Sequence, residues 1–178
     1  PNDLVIARNG SLFFTDPPYG MKKGEAPDAP YHGIYRIRPG GKAELLILDV
    51  RWPNGIALSS YEKTLYIAVS DKDDTRILAY DLAPDGAVSH GRVLFNAQNL
   101  KSAVRKGGCD GLKVDQQGNI WTTGPGGVLV LDKGGRHLGT ILTGQATANC
   151  AWGGEGRSTL YITADMFLLR VKTRVGGL

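Results

Sequence analysis

Four residues recur in register along the chain. Asn2, Asn54, Asp110 and Asn149 each open a segment that runs on into a short apolar stretch. Their side chains are oxygen donors, with neither Cys nor His among the four, a set suited to a hard cation that takes roughly six to eight oxygens. Calcium is the first expectation, with magnesium, manganese or zinc as alternatives. The competing explanation is turn chemistry, because Asn or Asp before Gly bonds to adjacent backbone. That explanation places such residues at hairpin tips. Here each precedes its apolar stretch, and the tip, as at Asn9-Gly10, comes about eight residues later.

The elements that must position these residues form a repeat. The four segments start at Pro1-Asn2-Asp3-Leu4, Pro53-Asn54-Gly55-Ile56, Cys109-Asp110-Gly111-Leu112 and Ala148-Asn149-Cys150-Ala151, roughly 40 to 55 residues apart. Each reads as two strands joined by a polar turn. Further strand pairs lie between them: Gly33-Ile34-Tyr35-Arg36-Ile37 with residues 43–48, residues 77–81 with 92–95, and 127–132 with 137–142. Residues 164–173 open a fourth pair, with its strand at residues 167–171. With 25 Gly and 9 Pro in 178 residues, long helices are excluded. The best helical candidate, residues 98–105, is short and runs into Gly107-Gly108. The expected fold is all-β, a single propeller domain over residues 1–178 with about four blades of four antiparallel strands each. The chain opens inside a blade's first strand, so N-terminal blades are expected to be missing and a sheet flank open to association. In a propeller the first strand of each blade lines the central channel, which would bring the four Asn and Asp residues to one mouth of it.

Other chemistries are poorly supported. The formal charge is +4, from 21 Lys and Arg against 17 Asp and Glu, and basic residues cluster only at Lys22-Lys23 and Arg105-Lys106, so no nucleic-acid partner is expected. No apolar run approaches the roughly 18 residues that would span a bilayer as a helix, so no membrane partner is expected. Nothing in the sequence fixes a compartment. Cys109 and Cys150 lack a C-x-x-C partner and are expected to be inert buried thiols. Asp71, Asp73 and Thr75 imitate an EF-hand start, but Arg76 and Leu82 stand where Gly and Glu are needed. There is neither a G-x-S-x-G elbow nor a P-loop. His32, His90 and His137 lie in separate segments. Residues 16–30, rich in Pro and Gly, read either as a lid over the channel mouth or as a mobile surface loop.

Taken together, Phe14-Thr15-Asp16-Pro17-Pro18-Tyr19-Gly20, Trp52-Pro53-Asn54-Gly55-Ile56, Cys109-Asp110-Gly111-Leu112, Gly118-Asn119-Ile120-Trp121 and Asn149-Cys150-Ala151-Trp152-Gly153-Gly154 resemble the senescence-marker-protein/gluconolactonase family, especially its bacterial gluconolactonase branch. The resemblance implies a six-bladed propeller holding a divalent metal, usually calcium, in its channel. It places metal ligands on Asn54 and Asp110, with Asn2 contacting metal or substrate. The family's further ligand, a Glu from its first blade, has no counterpart here, since Glu25 and Glu155 stand in a different context. The implied activity is hydrolysis of a small-molecule sugar lactone. The cation would polarise the carbonyl, Asp110 would serve as ligand and general base, and Asn149 would be a lesser channel contact. A phosphotriesterase-like hydrolase and a non-catalytic propeller binding calcium or a partner are the alternatives.

Overall fold

A computed structural model describes residues 1–22, 24 and 31–178. Its strands fall into four sheets, each a meander of consecutive antiparallel strands. The first sheet holds β1 (Leu4–Ile6), β2 (Leu12–Asp16), β3 (Gly33–Ile37) and β4 (Ala43–Ile47). The second holds β5 (Pro53–Leu58), β6 (Thr64–Val69), β7 (Arg76–Leu82) and β8 (Val88–Asn96). The third is built from β9 (Leu112–Val114), β10 (Ile120–Gly124), β11 (Gly127–Leu131) and β12 (His137–Leu142). The fourth has three strands, β13 (Thr147–Gly153), β14 (Thr159–Ala164) and β15 (Phe167–Lys172). The first strands of successive sheets touch one another, β1 against β5, β5 against β9 and β9 against β13, so they are the innermost strands of a propeller.

Strand alternation explains why these sheets stack. Successive side chains point to opposite faces, so a strand apolar at every position is buried on both sides. On β5 and β6, Ile56, Leu58, Leu65, Ile67 and Val69 face the first sheet and meet Phe13, Ile34 and Ile47. Their alternates, Ala57, Tyr66 and Ala68, face the third sheet and meet Leu112, Val114, Ile120 and Leu129. The third sheet repeats the device, turning Trp121 and Val128 toward Cys150, Leu160 and Ile162 of the fourth. The core is thus three apolar layers between blades. At the two ends of the series apolar side chains are exposed, among them Ile6 at 62% and Leu168 at 72%.

Helical content agrees with expectation. Among the described residues it amounts to two single-turn 3-10 segments, Gln98–Leu100 and Glu155–Arg157, so only the start of the 98–105 candidate is helical. Cys109 and Cys150 are buried free thiols, and burial pushes them up to about 12 and about 11, which keeps them protonated and unreactive at neutral pH. The false EF-hand is accounted for as well. Asp71 caps its own turn through the Asp73 N–H at 3.0 Å and pairs with Arg51 at 3.4 Å, while Thr75 is buried and bonded to Val69 and Cys109. Of the 16–30 segment, residues 23 and 25–30 lie outside the described residues.

Candidate functional site

The repeat residues gather where the innermost strands begin. Asn2 and Asp110 precede β1 and β9, as the repeat implies, whereas Asn54 and Asn149 fall inside β5 and β13. There the strand register shifts, between Pro53 and Ile56 and between Thr147 and Asn149. Such bulges redirect a side chain that a regular pleat would send to a face, as at Asn54 and Asn149 near the start of their strands.

A side-chain hydroxyl from each blade's second strand, or from the residue just after it, braces the residue at the start of the first. The Asp3 N–H donates to Thr15 Oγ1 at 3.1 Å, the Asp110 N–H to Thr123 Oγ1 at 3.1 Å and the Asn149 N–H to Thr163 Oγ1 at 3.0 Å. In the second blade the bond is between side chains, Asn54 Nδ2 donating to Ser70 Oγ at 2.9 Å, and Ser70 donates onward to the Cys109 carbonyl. Neighbouring blades are stitched at the same level. Thr15 Oγ1 donates to the Asn54 carbonyl at 2.7 Å, the Gly55 N–H to the Asp110 carbonyl at 3.0 Å and the Gly111 N–H to the Ala148 carbonyl at 2.9 Å. A Cβ on Gly55 would lie 2.2 Å from that Asp110 oxygen, so only glycine fits the seam.

Asn54 and Asp110, from separate sheets, meet. The Asn54 side chain lies close enough to the Asp110 carboxyl to lower its pKa, and Asp3 close enough to raise it. Burial, then Asp3, push the Asp110 carboxyl up to about 6, against the smaller lowering by Asn54. Among the described residues no ion pair engages either Asp3 or Asp110, so two carboxylates share this mouth without a cationic side chain. No group of three His, Cys, Asp or Glu forms there or elsewhere among those residues. Asp3 already accepts the Leu4 N–H at 2.8 Å and the Ile56 N–H at 3.3 Å, which leaves the Asp110 carboxyl and the Asn54 amide as the oxygens a hard divalent cation could take. Beside Asp110 a cavity of ≈ 350 Å³ opens between the second, third and fourth blades, with Ser70, Thr147 and Thr163 in its lining.

The remaining repeat residues stand differently. Asn2 is exposed and held by its backbone N–H on the Thr15 carbonyl at 2.8 Å, and no hydrogen bond of its side chain is present among the described residues. Asn149 turns Oδ1 back on the Cys150 N–H at 2.9 Å and lies over Gly111, so its carboxamide oxygen serves its own strand. Reasoning from the repeat overlooked Asp3, the neighbour of Asn2 in the same quartet, and the hydroxyl residues, although Thr15, Thr123 and Thr163 occupy matching places in it. Tyr19 was overlooked too. Its hydroxyl meets the side chains of Ser70 and Asn54, and its ring stacks on Trp52 with centroids 5.5 Å apart and planes 13° from parallel. Burial, with the charges of Asp110 and Asp71, raises the phenol above its usual range despite the lowering by Ser70 and Asn54. Trp52 holds φ at +54°, a left-handed backbone that a bulky residue rarely adopts.

Comparison with known proteins places this geometry in context. A model of the SMP-30/Gluconolactonase/LRE-like region matches residues 1–165. A gluconolactonase of Zymomonas mobilis is 35% identical, over 99% of this chain and 51% of that protein, so the chain spans about half the length of this relative. The gluconolactonase XC5397 of Xanthomonas campestris superposes with a TM-score of 0.81 at 31% identity, covering 100% of this chain and 57% of that one. The calcium-binding protein regucalcin of Agrobacterium tumefaciens shares the fold, with a TM-score of 0.69 at 23% identity over 97% of this chain and 62% of that one.

Proposed function

Because the chain belongs to the SMP-30/gluconolactonase/LRE-like family, we propose that it forms the metal-binding wall of an enzyme that hydrolyses a sugar lactone to its aldonic acid. The observation that carries this reading is the meeting of Asn54 with the half-buried Asp110, opposite Asp3 and with no described cationic side chain paired to it. Two negative groups held together in a partly buried mouth repel each other, and a divalent cation is the natural relief. Asn54 and Asp110 would hold it, with Asn2 at the rim contacting substrate or the cation. Calcium is the leading candidate by donor chemistry. When bound, the cation supplies Lewis acidity that polarises the lactone carbonyl, worth several kcal/mol in the transition state.

The chain's own residues do the rest. Asn54, fixed by Ser70, orients the Asp110 carboxylate. Without a cation, burial pushes the Asp110 carboxyl up to about 6; a bound cation would hold it ionised, the form a general base requires. Water adds to the carbonyl carbon while its proton passes to an Asp110 oxygen. The ring C–O bond then breaks, and the ring oxygen leaves with that proton as a hydroxyl group. The ≈ 350 Å³ cavity beside Asp110 would hold the sugar portion. The test is glucono-1,5-lactone hydrolysis measured above its spontaneous rate, before and after chelation. Chelator-sensitive turnover that disappears in Asp110→Asn supports the reading. Calcium binding without turnover on any lactone sinks it in favour of a binding propeller.

A further inference from the structure

The stacked pair at the mouth suggests how the site recognises its ligand. Tyr19 follows β2 in the first blade and Trp52 precedes β5 in the second, so the stack bridges two blades directly beside Asn54 and Asp110. Tyr19 is 39% exposed as a residue, although its hydroxyl reaches the Ser70 and Asn54 side chains. Part of the residue is therefore open to solvent while its hydroxyl end is anchored beside Asn54. Trp52 cannot drift away from it easily, because its left-handed backbone leads straight into the buried Pro53 and Asn54. Ser70 couples the two features further, bonding Asn54 on one side and the Cys109 carbonyl on the other.

A cyclic polyol has an apolar C–H face and a rim of hydroxyls. An aromatic ring whose phenol oxygen lies at the same rim matches both. We propose that Tyr19, held by Trp52, is the specificity-determining residue of this site: its ring covers the C–H face of a polyhydroxylated lactone, and its hydroxyl bonds a ring hydroxyl of that substrate. The phenol proton is given to a substrate oxygen in place of Ser70. A lactone without hydroxyls offers that proton nothing, so the contact discriminates between substrates and leaves the reacting carbonyl alone. This inference rests on the lactonase reading, and its test separates the two.

The experiment compares glucono-1,5-lactone with unsubstituted δ-valerolactone in wild type, Tyr19→Phe and Trp52→Leu. For Tyr19→Phe the expected result is a KM for gluconolactone raised about tenfold with kcat little changed, and kcat/KM for valerolactone within about twofold of wild type. Trp52→Leu should weaken gluconolactone in the same sense, while Trp52→Phe, which keeps an aromatic face, restores most of it. Equal effects of Tyr19→Phe on both lactones, or none on either, overturn the proposal while leaving the lactonase reading intact. A wild-type protein that hydrolyses neither lactone overturns both. Near-ultraviolet circular dichroism of each variant reports whether the fold is retained. If Tyr19→Phe does not fold, the contrast between Trp52→Leu and Trp52→Phe decides: loss confined to gluconolactone upholds the proposal, and equal loss on both substrates refutes it.

Discussion

Asn54 and Asp110 are 56 positions apart in sequence and belong to different blades, yet the side chain of one lies close enough to the carboxyl of the other to lower its pKa. The Gly55 N–H, next in chain to Asn54, simultaneously bonds the Asp110 carbonyl. Side chain and main chain thus register the same two blades at one point.

Asp110 should govern both rate and acid response. Asp110→Asn is expected to lower lactone turnover by at least about a hundredfold. In chelator-treated protein the carboxyl sits near 6 when folded, against an ordinary 3.8. The folded state then holds its proton more tightly, so this group's contribution to stability is complete below pH ~4 and is lost as pH rises through ~6. Thermal melts from pH 4 to 8 should show that downward slope in wild type and lose it in Asp110→Asn. Parallel slopes in the two proteins would contradict the assignment.

Ser70 links Asn54 to the third blade. Removing its hydroxyl in Ser70→Ala leaves the Cys109 carbonyl and one Asn54 amide proton without their partner, at a cost of about 1–2 kcal/mol. Denaturant titration should find that loss, and calcium titration by calorimetry should find weaker binding than wild type. A variant with unchanged calcium affinity would remove Ser70 from the site.

Glycines at matching repeat positions should differ. In Gly55→Ala the new methyl meets backbone, the Asp110 carbonyl 2.2 Å away, and cannot be accommodated unless the blades separate. In Gly111→Ala the nearest atoms belong to the Asn149 side chain, which can rotate. Melting temperatures should show a loss of about 2–4 kcal/mol for the first and about 1 kcal/mol for the second. The reverse order would mean that the seam is looser than its hydrogen bonds imply.

The buried Asp115 is structural. Its carboxylate accepts from the Gln117 and Asn119 N–H groups at 2.9 and 2.8 Å, from Asn119 Nδ2 at 2.8 Å and from Trp121 Nε1 at 3.0 Å. Asp115→Ala strands those donors and should destabilise by about 3 kcal/mol with turnover per folded molecule unchanged. A fall in specific activity beyond the folded fraction would show that the third blade's hairpin tip communicates with the mouth.

The blades were legible because sheet stacking writes itself into sequence. Runs such as Thr64–Val69 are apolar at nearly every position, and the Asn or Asp at each repeat start marks the beginning of an inner strand. The partnership of Asn54 with Asp110 also followed from register. What sequence left hidden depends on spacing between blades. Asp3 comes near Asp110 because the innermost strands of the first and third blades flank that of the second, and Tyr19 reaches Trp52 across a blade boundary. The bulges that carry Asn54 and Asn149 into their strands were equally hidden, because a shift of one residue in register leaves no compositional trace.

The Gly55 to Asp110 main-chain bond makes a mechanical demand on evolution. Any change that alters the angle between the second and third blades tugs on the peptide unit of Asp110, the ligand proposed above. On the proposed function, affinity for the ion would then drift even when every coordinating side chain is retained, so chains of this architecture would retune their chemistry through the seam between blades.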